Sequence, residues 1–354
     1  MSFSLGIVGL PNVGKSTLFN ALLKNTQAEA SNYPFCTIDP NVGIVDVPDE
    51  RLNKLAAIDS PKKIIPTAIE FCDIAGLVKG AHKGEGLGNA FLSHIAEVKA
   101  ILHVVRLFDD GNVTHVDGSI DPVRDAETIE TELLLRDLSV AESSLSKATK
   151  QARSGDKEWI QKRELLTKIT ENLEKNVPLR TVTFEEEESE LLNDYTFLTL
   201  KPILYVLNVS EKQLASGVDF PLKPFIPISA KVEADLASFT DEEATEYLKE
   251  YNLTESGLVR LIKKSYELLD LITFLTSGPE ESRAWTVKRG AKAPEAAGVI
   301  HSDFEKNFIR AEVISFDDYV ALGGEKGAKE AGVMRVEGKD YTVRDGDVMH
   351  FLAG

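Results

Sequence analysis

Short apolar runs recur along the chain in the way expected of strands in an α/β domain. Ser4–Val8, Thr67–Cys72, Ile101–Val105 and Pro202–Leu207 are rich in aliphatic side chains, as buried strands are. Ser16–Leu23 follows the first run and places its apolar residues on one side of a helix. The first part of the chain and the part after residue 199 therefore predict an α/β domain that is interrupted by a different middle segment.

The middle segment has a helical pattern of another kind. After Glu130, and again after a polar turn at Arg153–Lys157, apolar residues recur mostly at intervals of three and four. This spacing is typical of two helices that pack as a coiled-coil hairpin. The apolar positions are Leu134, Leu138, Ala141, Leu145, Ala148 and Ala152, then Trp159, Leu166, Ile169 and Leu173.

Basic residues cluster around the turn of this hairpin, although the inserted segment as a whole is acidic. They are Lys147, Lys150, Arg153, Lys157, Lys162, Arg163 and Lys168. Such a basic end can contact rRNA phosphates in a salt-sensitive manner, and a solvated helix surface is the alternative. The acidic run Glu185–Glu188 that follows is most simply the start of a charged helix.

The chain beyond the hairpin returns to the α/β pattern and then changes again. Gly257–Thr276 predicts a helix, Ser277-Gly278-Pro279 marks a boundary, and short strand patterns alternate with glycine turns to the end. The predicted domains are an α/β domain of residues 1–121 and 199–276, a helical insertion of residues 122–198, and a small mixed-sheet domain of residues 277–354.

The composition narrows the class of protein. A chain of 354 residues with 43% hydrophobic residues is long enough for two or three domains, and no stretch approaches the ~20 apolar residues of a membrane span. The N-terminus enters a strand pattern without a signal peptide, so we expect a cytoplasmic protein, without membrane association, whose two cysteines stay reduced. The net charge of −17 argues against a surface that is basic throughout, but it is compatible with a local basic patch.

The first strand leads into a phosphate-binding pattern. Gly9–Ser16 reads Gly-Leu-Pro-Asn-Val-Gly-Lys-Ser, the full GxxxxGK[ST] sequence between a strand and a helix. Its glycines let successive N–H groups point at phosphates, and the helix N-terminus adds partial positive charge. We expect Lys15 to reach the β- and γ-phosphates and Ser16 to bind Mg²⁺; a plain glycine turn is the alternative. The predicted nucleotide-binding residues here are Asn12, Val13, Gly14, Lys15, Ser16 and Thr17, and Lys15 is also predicted to be catalytic.

Two further segments predict a nucleotide switch. Asp73-Ile74-Ala75-Gly76 is a DxxG motif, in which Asp73 would hold Mg²⁺ through water and the Gly76 N–H, predicted to be catalytic, would meet the γ-phosphate. The Pro-bounded loop Tyr33–Pro40 contains Thr37, whose hydroxyl would complete the Mg²⁺ ligands only when that phosphate is bound. Alone, these segments are an ordinary strand exit and a surface loop; after a phosphate loop, the switch interpretation is favoured.

The order of these motifs resembles a P-loop GTPase domain of the Obg group, but the base-reading segment differs. Where such a GTPase has Asn-Lys-x-Asp, this chain has Asn208-Val209-Ser210-Glu211. The two guanine donors thereby lose their carboxylate partner, and an unmatched polar group of this kind can discriminate by several orders of magnitude. Backbone carbonyls near Leu207 and Asn208 could instead accept the 6-amino group of adenine, with Ser229-Ala230-Lys231 closing the pocket.

The whole combination resembles the YchF/Obg-like ATPase family over nearly the entire chain. The likeness rests on Gly-Leu-Pro-Asn-Val-Gly-Lys-Ser-Thr, Asn-Tyr-Pro-Phe-Cys-Thr-Ile and Asp-Ile-Ala-Gly-Leu-Val-Lys-Gly-Ala. It implies an α/β P-loop NTPase (GTPase-like) domain that favours ATP, a preference assigned here to Asn208 and Glu211, with an inserted helical hairpin. It also implies a C-terminal TGS domain, an α+β ubiquitin-like fold, in segments such as Ala284–Val287 and Tyr341–Val348.

The residue that places the attacking water is open. Many switch GTPases have a glutamine directly after DxxG, but here that position is Leu77, which cannot form a hydrogen bond. His115, in a polar loop after Ile101–Val105, is the predicted catalytic residue, His82 is the rival, and a solvated loop histidine is the alternative. In K⁺-stimulated relatives an asparagine at the position of Asn12 helps to bind a monovalent cation, so K⁺ is a further candidate cofactor.

These features predict a monomeric, slow ATPase whose bound nucleotide sets the conformation that binds ribosomes or RNA through the hairpin tip and the TGS domain. Three alternatives stay open: a GTP-preferring translation or ribosome-assembly GTPase, a nucleotide-gated scaffold that hardly hydrolyses, and a small-molecule kinase. The sequence has no acceptor-site motif for the kinase.

Overall fold

The computed structural model describes residues 3–26, 41–74, 88–109 and 120–354. These residues divide into two compact units. Unit 1 contains the described residues up to 25, residues 41–43 and the described residues from 70 to 258; unit 2 contains residue 26 and residues 44–69 and 259–354.

Within the described residues the strands form two six-stranded sheets. In chain order they are β1 (Ser4–Val8), β2 (Val42–Asp46), β3 (Lys63–Ile65), β4 (Ala68–Asp73), β5 (Ala100–Arg106), β6 (Ile203–Asn208), β7 (Phe225–Ile228), β8 (Leu271–Thr276), β9 (Glu281–Lys288), β10 (Phe308–Ser315), β11 (Arg335–Glu337) and β12 (Asp347–Ala353).

The helices of the same residues connect these strands. They are α1 (Lys15–Thr26), α2 (Glu50–Asp59), α3 (Gly88–Glu97), α4 (Pro122–Gln151), α5 (Lys157–Glu174), α6 (Glu186–Leu192), α7 (Glu211–Ser216), α8 (Ala230–Leu236), α9 (Asp241–Glu250), α10 (Gly257–Leu268), α11 (Ala293–Ile300), α12 (Ser302–Lys306), α13 (Phe316–Ala321) and α14 (Glu325–Glu330). None of these helices combines the length and the apolar character that crossing a membrane requires.

The first sheet has the strand order β2-β4-β1-β5-β6-β7. β1 pairs in parallel with β4 and β5, and β6 pairs in parallel with β5 and β7. β1, β5 and β6 are buried along their whole length, as their continuous apolar sequences predict. Ligands of such sheets bind beyond the carboxyl ends of the strands. The loops that leave β1, β4, β5 and β6 are therefore the place to look for a site.

The predicted helical hairpin is confirmed. α4 and α5 are joined by a short 3₁₀ turn at Ala152–Ser154 and by Gly155, which has a φ of +81°. The Asp156 side chain then accepts hydrogen bonds from the first amides of α5. The helices share a buried apolar core that includes Leu134, Ala141, Ala148, Leu166, Ile169 and Leu173.

The second sheet has the order β11-β10-β12-β8-β9-β3. Alternate residues of its strands face two separate cores. One core is completed by α11, through Ala293, Ala296 and Ala297. The other is completed by α2, whose Leu52 and Leu55 side chains are only 3% and 0% exposed. A helix from the N-terminal half of the chain therefore covers one face of this sheet.

Polar contacts strengthen the attachment of α2 within unit 2. The Arg51 guanidinium pairs with Asp345 at 2.7 Å, and Asp59 accepts a 2.7 Å hydrogen bond from the Tyr319 hydroxyl. The strand after α2, β3, pairs in parallel with β9. The structure thus places α2 and β3 with the C-terminal strands, whereas the sequence pattern assigned them to the α/β domain.

A second correction concerns Gly257–Thr276, which the pattern predicted as one helix. The helix ends at Leu268, and Leu271–Thr276 is strand β8 of the second sheet. Asp270 lies between them with a φ of +52°, which a helix does not permit, and the Leu-Ile-Thr-Phe-Leu-Thr sequence that follows favours a strand. The division of the whole chain into three domains stays a prediction.

Candidate functional site

The loop between β1 and α1 has a backbone that requires glycine at two positions. Gly9 and Gly14 have φ values of +155° and +100°. A Cβ atom on Gly9 would lie 2.5 Å from the carbonyl oxygen of Val104, and one on Gly14 would lie 2.3 Å from the amide nitrogen of the Asn208 side chain. Asn12, at φ +62°, is a residue type that tolerates this region. The conformation of this loop is therefore compatible only with glycine at positions 9 and 14.

Lys15 is held inside this loop. Its side chain is buried, and its ammonium group donates a 2.7 Å hydrogen bond to the carbonyl oxygen of Leu10. Burial lowers the pKa of Lys15 to about 8, although the nearby carboxylate of Asp73 acts in the opposite direction. A phosphate in the loop would give the buried ammonium group a charged partner that compensates for its lost solvation. The environment of Lys15 therefore favours phosphate binding.

The predicted metal ligands Ser16 and Asp73 are brought together. Asp73 is 4% exposed at the end of β4, and its carboxylate accepts a 3.2 Å hydrogen bond from the Ser16 hydroxyl. Among the residues described, no group of three or more His, Cys, Asp or Glu side chains could hold a metal. A hydroxyl and a carboxylate beside a phosphate loop fit Mg²⁺, which typically takes one or two protein ligands and completes its shell with phosphate and water.

The base-reading segment is joined directly to the phosphate loop. The Asn208 amide donates a 3.0 Å hydrogen bond to the carbonyl oxygen of Val13, and its side-chain oxygen accepts from the Ala230 N–H at 3.4 Å. Ser229, which is 1% exposed, caps α8 at this point. Residues from the ends of β1, β6 and β7 therefore meet as the sequence predicted, and Gly14 leaves room for Asn208.

One part of the predicted adenine contact needs correction, the backbone carbonyl of Asn208. The backbone carbonyl of Asn208 already accepts hydrogen bonds from the Leu107 N–H at 2.9 Å and the Phe108 N–H at 3.2 Å, so both of its acceptor positions are occupied. The Leu207 side chain is 0% exposed and can contribute through its backbone alone. Glu211 pairs with Lys231 at 3.0 Å, so its carboxylate is engaged between α7 and α8.

Comparisons with known proteins give the same organisation. Residues 4–137 match a family model described as 50S ribosome-binding GTPase, and residues 271–354 match a C-terminal YchF-GTPase model described as a protein of unknown function. The Ribosome-binding ATPase YchF of Bacillus subtilis is 54% identical over 99% of both chains, and that of Escherichia coli O157:H7 is 51% identical over 99% of both. The chain belongs to the YchF family.

A solved structure extends the likeness to three dimensions. The Schizosaccharomyces pombe YchF GTPase structure covers 99% of this chain and 98% of its own, with 40% identity and a TM-score of 0.90. The predicted family and fold class are confirmed: this YchF-family chain has a GTPase-type P-loop domain and a C-terminal YchF domain.

Arg106, the last residue of β5, and Phe108, just after it, were not predicted as site residues from the sequence. Arg106 is 1% exposed, donates a 3.0 Å hydrogen bond to the Phe108 carbonyl oxygen, and places its guanidinium 4.5 Å from the centre of the Phe108 ring. A charged residue at the end of the apolar run Ile101–Val105 was the available signal. Through the Phe108 N–H, this aromatic residue lies next to the base-reading segment.

Several predicted residues are not placed by the structure. His115 and Gly76, predicted to be catalytic, the metal ligand Thr37 and the rival histidine His82 lie outside the described residues. A third histidine, His103, is buried in β5, and burial lowers its pKa to about 3. It is therefore neutral and has no role as a surface proton donor.

The pKa of Lys15 predicts a pH-dependent affinity. Above pH 8 the lysine of the free protein loses its proton, and it must regain that proton to hold a triphosphate. The dissociation constant of MgATP should therefore rise about eightfold between pH 7.5 and pH 9, with proton uptake on binding. Calorimetry at both pH values, in buffers of different ionisation enthalpy, measures both effects. In Lys15→Arg, whose side chain stays charged, the remaining affinity should not show this step; the same pH dependence there would contradict the assignment.

Proposed function

We propose that this YchF-family protein is a switch that binds MgATP, hydrolyses it slowly to ADP and phosphate, and associates with ribosomes or RNA. The main support is the convergence of the Gly9–Ser16 loop, Asp73 and Asn208 at the carboxyl edge of one parallel sheet, with the phosphate-binding groups joined to the base-reading segment. The names of the relatives, which are 54% and 51% identical, support both ATP and the ribosome.

The residues around the phosphates have separate roles. Lys15 stabilises the negative charge that develops on the γ-phosphate, and the backbone amides of the loop orient the phosphate chain. Ser16 and Asp73 would hold Mg²⁺, and Thr37 would be a further ligand in the triphosphate state. When bound, Mg²⁺ neutralises charge on the β- and γ-phosphates. The Gly76 N–H contacts the γ-phosphate, so the loop after Gly76 responds to whether that phosphate is present.

The preference for adenine rests on what the base-reading segment lacks. Val209, at the position of the GTPase lysine, is 2% exposed and packs in the core of unit 1, so no ammonium lies over the base. Glu211, in place of the aspartate, is held by Lys231. Guanine would have to compete with Lys231 for this longer carboxylate, which favours ATP and leaves a weaker GTP activity.

A GTP-preferring enzyme is the second candidate. It is favoured by the description of the family model that matches residues 4–137 and by the name of the fission-yeast protein, both of which say GTPase. A scaffold that binds nucleotide but hardly hydrolyses it is the third. Within the first candidate, His115 or His82 orients the water, Asn12 binds K⁺, and the protein acts as a monomer.

The hairpin tip is the proposed contact with ribosomal RNA. Of the basic residues there, Lys162 pairs with Glu158 and Asp194, and Lys168 pairs with Glu188. The exposed cations nearest the turn are Lys147, Lys150, Arg153 and Lys157. The basic end is thus smaller than the sequence indicates, and it lies at the turn itself.

Charge reversal at the tip tests this contact. The double variant Lys150→Glu and Arg153→Glu should weaken ribosome association by about tenfold or more and reduce the slope of log affinity against log salt by about 2, because two phosphate contacts are lost. Ribosome cosedimentation with a non-hydrolysable ATP analogue, with ADP and without nucleotide measures both. Lys175→Glu with Lys249→Glu, at exposed lysines away from the turn, is the matched control. Equal pelleting of the two double variants would exclude the tip.

A further inference from the structure

One side chain outside the predicted site joins the exits of β5 and β6. Gln213, in the first turn of α7, donates a 3.1 Å hydrogen bond from its side-chain amide to the carbonyl oxygen of Leu107. Its amide oxygen accepts from the backbone N–H and the hydroxyl of Ser210 at 2.8 and 2.9 Å. Both ends of this half-buried amide are therefore used.

The backbone N–H and the backbone carbonyl of Leu107 are therefore both hydrogen-bonded. Its N–H donates to the Asn208 carbonyl oxygen, and its own carbonyl oxygen accepts from Gln213. The Asn208 side chain continues the path to Val13 in the phosphate loop. A continuous chain of hydrogen bonds thus runs from α7 through the β5 exit to the loop that cradles phosphate.

We infer that Gln213 is a positioning residue that sets the choice of purine base. This inference rests on the proposed ATP function of the same site. By holding Leu107 in place, Gln213 keeps the Asn208 carbonyl occupied by the Leu107 and Phe108 amides. Without the hydrogen bond from Gln213, the segment after β5 can move away from Asn208. The Asn208 carbonyl oxygen then becomes available to accept a hydrogen bond from the base. The set of acceptors facing the base then changes, while the phosphate loop keeps its own residues.

An ordinary helix cap is the competing explanation for Gln213, and the structure offers a way to separate the two. Ser210 and Gln213 form a capping box at the start of α7. Glutamate serves equally well at that position of a capping box, because only the acceptor oxygen is required. Gln213→Glu therefore keeps the cap and replaces the donor to Leu107 with a second oxygen. Gln213→Ala removes both contacts.

The test compares base recognition with phosphate binding in the full chain. Dissociation constants are measured for MgATP, MgGTP and Mg-tripolyphosphate, together with Tm, in the wild type, Gln213→Glu and Gln213→Ala. Both variants should change the ratio of ATP to GTP affinity by about fivefold to tenfold, the size of one lost hydrogen bond and its unpaired acceptor. Tripolyphosphate affinity should stay within about twofold of the wild type, and Gln213→Ala, which loses the cap as well as the contact with Leu107, should lower Tm more than Gln213→Glu.

A control and two contrary outcomes complete the experiment. Thr240→Ala removes the equivalent cap of α9 away from the site, so it should lower Tm and leave the ATP to GTP ratio unchanged. A wild-type ratio in Gln213→Glu, or an equal loss of tripolyphosphate affinity, would overturn the inference. A wild type that prefers GTP would instead contradict the proposed function, and the role of Gln213 would still be judged by whether the ratio moves.

Discussion

Lys15→Met is expected to lower the rate of ATP hydrolysis by about 10²–10³-fold, because it removes a preorganised charge from the γ-phosphate. The ammonium is already held within the loop by the Leu10 carbonyl oxygen, and it needs no large movement to meet a phosphate. Single-turnover release of phosphate, with enzyme in excess over ATP, measures the chemical step without product release.

The stability of this variant separates a catalytic effect from an unfolded loop. Because burial disfavours the charged form of Lys15, a neutral side chain of similar length should leave Tm at or above the wild-type value. Lys175→Met, at an exposed position, is the control for loss of a lysine and should hydrolyse ATP normally. A rate within a few-fold of the wild type in Lys15→Met would show that another group stabilises the γ-phosphate.

Leu55→Ala is expected to destabilise unit 2 by about 2–5 kcal/mol, the usual cost of truncating a buried leucine. Leu55 is 0% exposed on α2 and belongs to the core that contains Leu275, Ala284 and Ile314. The lost packing should appear as faster amide hydrogen exchange in β8 and β9. Hydrogen exchange is the suitable measurement because it resolves the strands separately in a chain with two units.

The location of the effect is as informative as its size. Ile64→Ala, at a side chain that is 47% exposed on β3, is the matched control and should change stability by less than about 0.5 kcal/mol. If α2 were part of the α/β domain, as its sequence position suggests, Leu55→Ala would instead accelerate exchange in β1 and β4. That result would contradict the assignment of residues 44–69 to unit 2.

The phosphate loop could be predicted from sequence because its requirements are local. Gly9, Gly14, Lys15 and Ser16 need only a strand before them and a helix after them, and each position follows from backbone geometry or from phosphate chemistry. The hairpin was also predictable, since its three-and-four spacing is a property of the helices themselves. Asn208 was recognised from its place after an apolar strand.

The parts that could not be predicted depend on partners that are distant in sequence. The pattern of α2 shows that Leu52 and Leu55 need a covering surface, but it does not say which sheet supplies that surface. The run from Gly257 to Thr276 is rich in apolar residues, so a helix and a strand in succession resemble one long helix until the turn at Asp270 is seen. Pairing of Lys162 and Lys168 with acidic residues is likewise a tertiary property.

The occupancy of the Asn208 carbonyl is the clearest case. The sequence shows a base-reading segment without lysine or aspartate, and from it alone the backbone carbonyl looks free to accept a base. The structure brings the Leu107 and Phe108 amides to that oxygen, since β5 and β6 are neighbours and end together. Absence of the guanine-binding carboxylate is thus the stronger argument for adenine, and Gln213 becomes part of the selection.

Competition between ATP and GTP for the same site tests the proposed base preference most directly. A fluorescent ATP analogue bound to the wild-type chain in the presence of Mg²⁺ is displaced with each unlabelled nucleotide, and Lys15→Met gives the background of phosphate-independent binding. We predict that ATP displaces the analogue at a concentration about tenfold or more below that of GTP, because guanine leaves its two donors unmatched. Displacement by GTP at the lower concentration would contradict the adenine assignment of Asn208–Glu211.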